Sequence, residues 1–320
     1  MQIDIHAHIV QQDYLQRLAA VAGLTRSEAE GKTFFKQNGY TVAWSRPDMF
    51  DIEHRIREMD RKGIDVRVLS LSTPNVYPWQ GAEQVEVCVS INDQLHALVE
   101  EAPRRFVGLA SLPLNDPQAA LAELDRCIGD LGMAGVAIGS NIDGMALDDK
   151  RLEPIWARLN AKRTPVFVHP MFPTYADALP GFELPLRLGF PFDTTTAASR
   201  LIYAGVLERY PDLTIILAHT GGALLPLVER LDNGYRLFPE CRRYINQLPS
   251  LYAKRLYYDT ASFFSPMIEM ARDFAGADHV LFGTDDPFID QSPAHVHATS
   301  LGDAEKAAVL GGNAKRLLGL

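Results

Sequence analysis

The sequence predicts an α/β fold, a (β/α)8 TIM barrel, on two observations. Eight short apolar runs rich in β-branched residues recur along the chain, and segments of helical periodicity lie between them. Near-continuous apolar runs mark strands buried on both faces, as in a parallel sheet. Eight strand–helix units in series close such a sheet into a barrel. The strands are expected within 2–10, 66–72, 106–114, 135–140, 165–170, 214–220, 256–262 and 280–285.

The helices follow from spacing and from end signals. Segment 51–62 places Ile52, Ile56 and Met59 on one face, and Gly63 stands ready as a C-cap. Segments 117–131, 149–159, 194–208 and 224–231 repeat the pattern. In 117–131 the apolar face is Ala120, Leu121, Leu124 and Ile128; in 149–159 it is Leu152, Ile155, Trp156 and Leu159. Two stretches exceed the needs of a bare barrel: 11–50 after strand one and 171–193 after strand five. Long βα insertions build the mouth of a barrel site, so both are expected there. No internal repeat or linker interrupts the chain, so residues 1–320 are read as a single domain.

Composition narrows the function classes. The chain has 320 residues, 47% hydrophobic and 22% charged, which is the balance of a globular enzyme and not of a disordered chain. Lys and Arg number 31 against 40 Asp and Glu, a formal net charge of -9, which argues against a nucleic-acid partner. The 3 cysteines, Cys88, Cys127 and Cys241, are scattered and odd in number, so a disulfide framework and a thiolate zinc site are not expected. No apolar run reaches the roughly 18 residues a membrane span needs. The first residues read as a strand and not as a signal peptide, so a cytoplasmic protein is expected.

The chemistry gathers at the strand ends. His6 and His8 are separated by one small residue at the end of strand one. Side chains alternate on a strand, so both imidazoles point to one side while Ile5 and Ala7 point to the other. His169 ends strand five, His219 ends strand six, and the pair Asp285-Asp286 ends strand eight. In a closed barrel these ends meet across the axis. Buried imidazoles and carboxylates without partners would be costly, and a divalent cation removes that cost by coordination. Alternation allows only one of Asp285 and Asp286 to face the cluster. His54 and His96 fall on helical segments, His279 precedes strand eight at the far end, and His295 and His297 are expected at the surface of the last loop.

The segments IDIHAHIV, RIREMDRKGIDVRVLS, GVAIGSNIDGMALDD, VFVHP, DTTTAASRLIYAGVLERYPDLTIILAHTGG, YYDTAS and LFGTDDPF together resemble the amidohydrolase superfamily over nearly the whole chain. The resemblance is to its branch of 2-amino-3-carboxymuconate-6-semialdehyde, γ-resorcylate and 5-carboxyvanillate decarboxylases. It implies metal ligands His6, His8, His169 and Asp285, choosing Asp285 over Asp286, with His219 beside the metal as acid/base and Asp285 in a possible proton role. It implies zinc as the usual metal, with manganese in some members, and often a homodimer, for which 234–244 offers an apolar segment. Strand four carries no lysine to bridge a second ion, so one metal per chain is expected. Asp286 stands where the branch commonly has an aromatic residue.

The predicted function is a metal-dependent decarboxylase, a carbon–carbon lyase, of an aromatic or muconate-like carboxylic acid. The alternative is a hydrolase or hydratase of the same superfamily, since the ligand set serves either; a non-catalytic binding protein on this scaffold ranks last. The substrate residues expected are Arg46 for a carboxylate and Trp44, Trp79 and Phe172 for a flat ring.

Overall fold

The eight runs fold as one sheet of parallel strands in a computed structural model that describes residues 1–320. We number the barrel strands β1 (Ile3–Ile9), β2 (Val66–Leu71), β3 (Phe106–Ala110), β4 (Gly135–Gly139), β5 (Val166–His169), β6 (Ile215–Leu217), β7 (Tyr257–Asp259) and β8 (Val280–Leu281). Each strand pairs with the next in sequence, all in parallel. The ring closes between β8 and β1, where Ile5 N–H donates to the Phe282 carbonyl at 2.9 Å and His8 N–H to the Asp286 carbonyl at 2.7 Å.

The sheet has a small inner core and a large outer one. Ile3, Ile5, Val68, Leu109, Ala137, Phe167, Ile216 and Leu281 are among 10 buried residues that fill the barrel, whereas 61 pack between the strands and their helices. Most of the burial energy, at roughly 25 cal/mol per Å² of apolar surface, therefore lies outside the ring. Ile5 is a correction to simple alternation. It joins the inner cluster although His6 and His8 also face inward, while Ala7 packs outside. The register between β1 and β2 shifts between Asp4 and Ala7, and such a bulge puts neighbouring side chains on one side.

The helices begin and end where local chemistry dictates. Asp51 caps helix Ile52–Lys62 by accepting the His54 N–H at 2.8 Å, and Gly63 closes it at φ 71°. Asp116 caps helix Pro117–Gly129, with proline at its start. The helical segment expected around His96 is helix Gly81–Glu101, the longest in the chain at 21 residues, which buries Gln84, Val87, Cys88, Ile91, Leu95 and Leu98. The first insertion holds helix Gln12–Ala19 and an antiparallel sheet of Leu24–Ala29, Lys32–Gln37 and Tyr40–Ser45. The second runs through a wide turn at Pro185–Gly189 into helix Phe190–Tyr203. No helix is long and apolar enough to cross a membrane.

Candidate metal centre and substrate cleft

The barrel carries four imidazoles and a carboxylate at the C-terminal ends of its strands. His6, His8, His169 and Asp285 each offer one ligand atom, and these four atoms lie within 4.8 Å of one another. Asp285 Oδ1 stands 3.4 Å from His6 Nε2 and 3.3 Å from His8 Nε2, and its Oδ2 stands 3.6 Å from His219 Nε2. The three ligand-type imidazoles are fully or almost fully buried.

The outer nitrogens of these rings are already committed. His6 Nδ1 meets Asp259 Oδ2 at 2.5 Å, and a carboxylate accepts, so the ring donates. Ser70 Oγ donates to the Ala7 carbonyl and lies 3.2 Å from His8 Nδ1; Thr73 Oγ1 donates to the Pro170 carbonyl and lies 3.3 Å from His169 Nδ1. With the Thr73 hydroxyl hydrogen spent on that carbonyl at 2.6 Å, the His169 ring donates from Nδ1. That tautomer turns the His169 Nε2 lone pair toward the place where His6 and His8 Nε2 also converge. His6 and His8 Nε2 stand 3.2 Å apart, and the buried His169 Nε2 has no hydrogen-bond partner. An orphaned buried lone pair beside two more ring nitrogens and a carboxylate is what a divalent cation satisfies, so the residues present fit one.

The electrostatics show a pull for positive charge at this point, which a proton on His6 or a bound cation answers. Burial would depress the His6 imidazole, but Asp259 and Asp285 outweigh burial and lift it to about 10. Burial, with the neighbouring imidazoles, holds His169 well below its ordinary value, and burial is also the main reason His8 is depressed. Burial favours the neutral form of Asp285, yet the surrounding imidazoles hold its carboxyl far below the usual range.

Asp259 was not singled out as a site residue, and it does two things at once. Besides holding His6, its Oδ1 accepts the N–H of Thr220 at 2.8 Å and of Ala261 at 3.0 Å. Thr220 follows His219, and both take left-handed backbone, φ 55° and 54°. One carboxylate thus orients a ligand ring and fixes the turn that presents His219. The signal was available, because an acidic residue ends β7 in YYDTAS as Asp285 follows β8.

Asp285 and Asp286 part company as alternation requires. Asp286 turns away from the imidazoles to Arg55 Nη2 at 2.7 Å and Arg67 Nη1 at 2.9 Å. His295, expected at the surface, is buried; its Nε2 stands 2.8 Å from Thr260 Oγ1, and its ring packs on Phe263 and Phe282.

Above the cluster opens a cavity of about 470 Å³, of the size that takes one small organic molecule. His169, His219 and Asp285 form its floor. The first insertion supplies Val42 and Trp44, the second Leu186, Arg187 and Phe190, and the last loops Phe263 and Phe288. Trp44 is thus where a ring-stacking residue was expected. The other three substrate assignments do not reach the cavity wall. Arg46 lies beyond strand Tyr40–Ser45, where Asp48 holds its Nε at 2.7 Å. Trp79 is buried against Tyr14, 5.7 Å between ring centres, and Phe172 packs on Tyr40 at 5.9 Å. The cation on the wall is Arg187, which is exposed and whose guanidinium has no acidic or hydrogen-bonding partner.

A barrel whose strand ends gather three histidines and an aspartate beneath an aromatic-walled cleft defines a metal-dependent barrel enzyme. The chain belongs to the amidohydrolase family: the family profile described as Amidohydrolase matches residues 3–320. It is 29% identical to the 2-amino-3-carboxymuconate-6-semialdehyde decarboxylase of Dictyostelium discoideum, over all of this chain and 92% of that protein. It is 31% identical to the gamma-resorcylate decarboxylase of Rhizobium sp. (strain MTP-10005), over 85% of this chain and 88% of that one. Among solved structures it superposes on the dihydroxybenzoic acid decarboxylase of Polaromonas sp. JS666 with bound manganese and the inhibitor 2-nitroresorcinol, at a TM-score of 0.82, 26% identity, and coverage of 100% and 97%.

Proposed function

We propose that this protein is a metal-dependent decarboxylase of an aromatic or muconate-like carboxylic acid. The observation that carries the reading is the convergence of three buried imidazoles and Asp285 on the floor of a cleft walled by aromatic rings. Kinship to decarboxylases favours loss of carbon dioxide over hydrolysis. His6, His8, His169 and Asp285 would hold one divalent ion, which when bound supplies a Lewis acid for a substrate oxygen. Zinc suits the three-imidazole, one-carboxylate set; the manganese in the Polaromonas relative makes manganese the competitor. β4 offers no lysine, and Ser140 and Asn141 beyond it are engaged by Asp193, which supports one ion per chain.

The chain's own groups then have separable tasks. Trp44, Phe190 and Phe288 flank a flat substrate and exclude water. Arg187 takes over the role assigned to Arg46 and pairs with an anionic substituent. His219, joined to Asp285 at 3.6 Å, is the acid that brings a proton to the carbon losing its carboxylate. Carbon dioxide release from a panel of hydroxybenzoates and carboxymuconates tests the reading. Turnover of lactones or esters with no carbon dioxide from that panel would replace it with a hydrolase.

The domain, assembly and location belong to the same proposal. The protein acts as one domain in the cytoplasm and as a homodimer. The exposed Leu237, Phe238 and Tyr244 support that pairing, and light scattering after size exclusion measures it.

A further inference from the structure

Asp285 has left-handed backbone, φ 57°, a region that non-glycine residues enter only when their surroundings hold them there. Both its neighbours are held by buried side chains. On one side Thr284 gives its N–H to Asp4 Oδ1 at 3.0 Å and its hydroxyl to Asp4 Oδ2 at 2.6 Å. On the other, Asp286 is gripped by Arg55 at 2.7 Å and Arg67 at 2.9 Å. Arg67 joins the two sides, since its Nε also stands 3.3 Å from Asp4 Oδ2. The same frame reaches β1: Asp4 Oδ1 accepts the His6 N–H at 3.2 Å, the His6 carbonyl accepts the Asp285 N–H at 2.8 Å, and the Asp286 carbonyl accepts the His8 N–H at 2.7 Å.

These four charges are costly to bury. Asp4 and Arg67 are 0% exposed, Arg55 3% and Asp286 7%. They balance in sign, two against two, but a buried ion cluster is a poor route to stability compared with apolar packing. Its best attested use is to enforce one arrangement over others. Here the arrangement enforced includes the backbone of two ligand-type histidines and of Asp285.

We infer that Asp286, clamped by Arg55 and Arg67, is a positioning residue that sets the Asp285 carboxylate for the metal. Asp286 touches neither the cleft nor the imidazoles; it acts through the peptide it shares with Asp285. The inference rests on the metal-site reading above and adds to it a device made of this chain's own residues.

Cobalt(II) titration of the chelator-treated full chain tests it, read by visible absorption, which reports coordination geometry, and by equilibrium affinity. Asp286→Asn keeps the shape but loses the charge that grips both arginines. The expected result is about 10- to 100-fold weaker cobalt binding with an altered spectrum. Because this variant also leaves a buried positive excess, a second one removes a charge of each sign. Arg55→Met/Asp286→Asn leaves Arg67 paired with Asp4, and is expected to regain melting temperature but not the wild-type spectrum or affinity. Glu123→Gln, a buried carboxylate paired with the half-buried Arg126 within helix Pro117–Gly129, is the control, expected to lower melting temperature without moving either cobalt readout. The inference is overturned if Asp286→Asn binds cobalt as the wild type does, or if the double variant recovers spectrum and affinity along with stability. Failure of the wild type itself to bind cobalt overturns the metal-site reading instead.

Discussion

The two ends of the barrel are built from the same eight strands and do opposite things. Toward the N-terminal end the interior is apolar, filled by Ile3, Val68, Leu109, Ile216 and Leu281. Toward the C-terminal end, the same strands carry His6, His8, His169 and, just beyond their ends, His219 and Asp285. Phe167 lies at the boundary, its ring 4.9 Å from that of His6. The difference teaches where this fold tolerates cost. The apolar end supplies packing, and the polar end holds buried imidazoles depressed by burial at His8 and His169 and left-handed backbone at Asp285 and His219, features that do not stabilise the barrel by themselves.

Substitutions at the two ends are therefore expected to separate stability from chemistry. The largest effect belongs to the polar end. His169→Ala is expected to lower kcat/KM at least about a thousandfold, through loss of metal, while melting temperature of the metal-free protein holds or rises. A metal-free variant that melts well below metal-free wild type would blur the division. Ile216→Ala, at the apolar end, is expected to do the reverse. Unfolding free energy should fall by about 2–5 kcal/mol by denaturant titration, with metal stoichiometry retained.

Arg187→Gln sharpens the comparison within the polar end. An exposed charge-assisted contact predicts a rise in KM of roughly tenfold with little change in kcat. Arg46→Gln, held by Asp48 outside the cleft, should leave KM alone. If Arg46→Gln raises KM and Arg187→Gln does not, the anchor has been assigned to the wrong arginine.

The smallest effect lies far from both ends. Arg151 holds the Asp149 carboxyl down, to about 2 from an ordinary 3.8, and a hydrogen bond from the Arg151 backbone adds to it. A depressed carboxylate contributes stability above its unfolded value and loses it as pH falls through its folded one. Asp149→Asn should thus cost under about 1 °C in melting temperature at neutral pH, since the pair is largely exposed. The difference should close between about pH 4 and 2.

Much of this division was legible in the residues, for a physical reason. Parallel strands buried on both faces leave uninterrupted apolar runs, and polar residues ending those runs have nowhere to go but the barrel mouth. His6, His8, His169, His219 and Asp285 could be found that way. Residues whose position depends on tertiary contacts could not. Arg46 and Arg187 are both arginines in insertions, and only the path of strand Tyr40–Ser45 and of the turn at Pro185–Gly189 decides which one faces the cleft. Helix Gly81–Glu101 is legible at His96 but not in its extent: Gln84, Cys88, Ile91, Leu95 and Leu98 keep helical spacing, yet its start lacks a side-chain cap and the segment VEVCVS reads as strand. Arg67 is the missed signal of most consequence. A charge inside the apolar run VRVLSLS requires a buried counter-charge, and asking where it was leads to Asp4 and Asp286.

The most direct test of the account is reconstitution. Protein stripped by chelator is titrated with zinc or manganese while carbon dioxide release from an accepted aromatic acid is followed. The account predicts no turnover without metal and a linear rise that breaks at one equivalent per chain. Full turnover by the stripped protein, or a break at two equivalents, would contradict it.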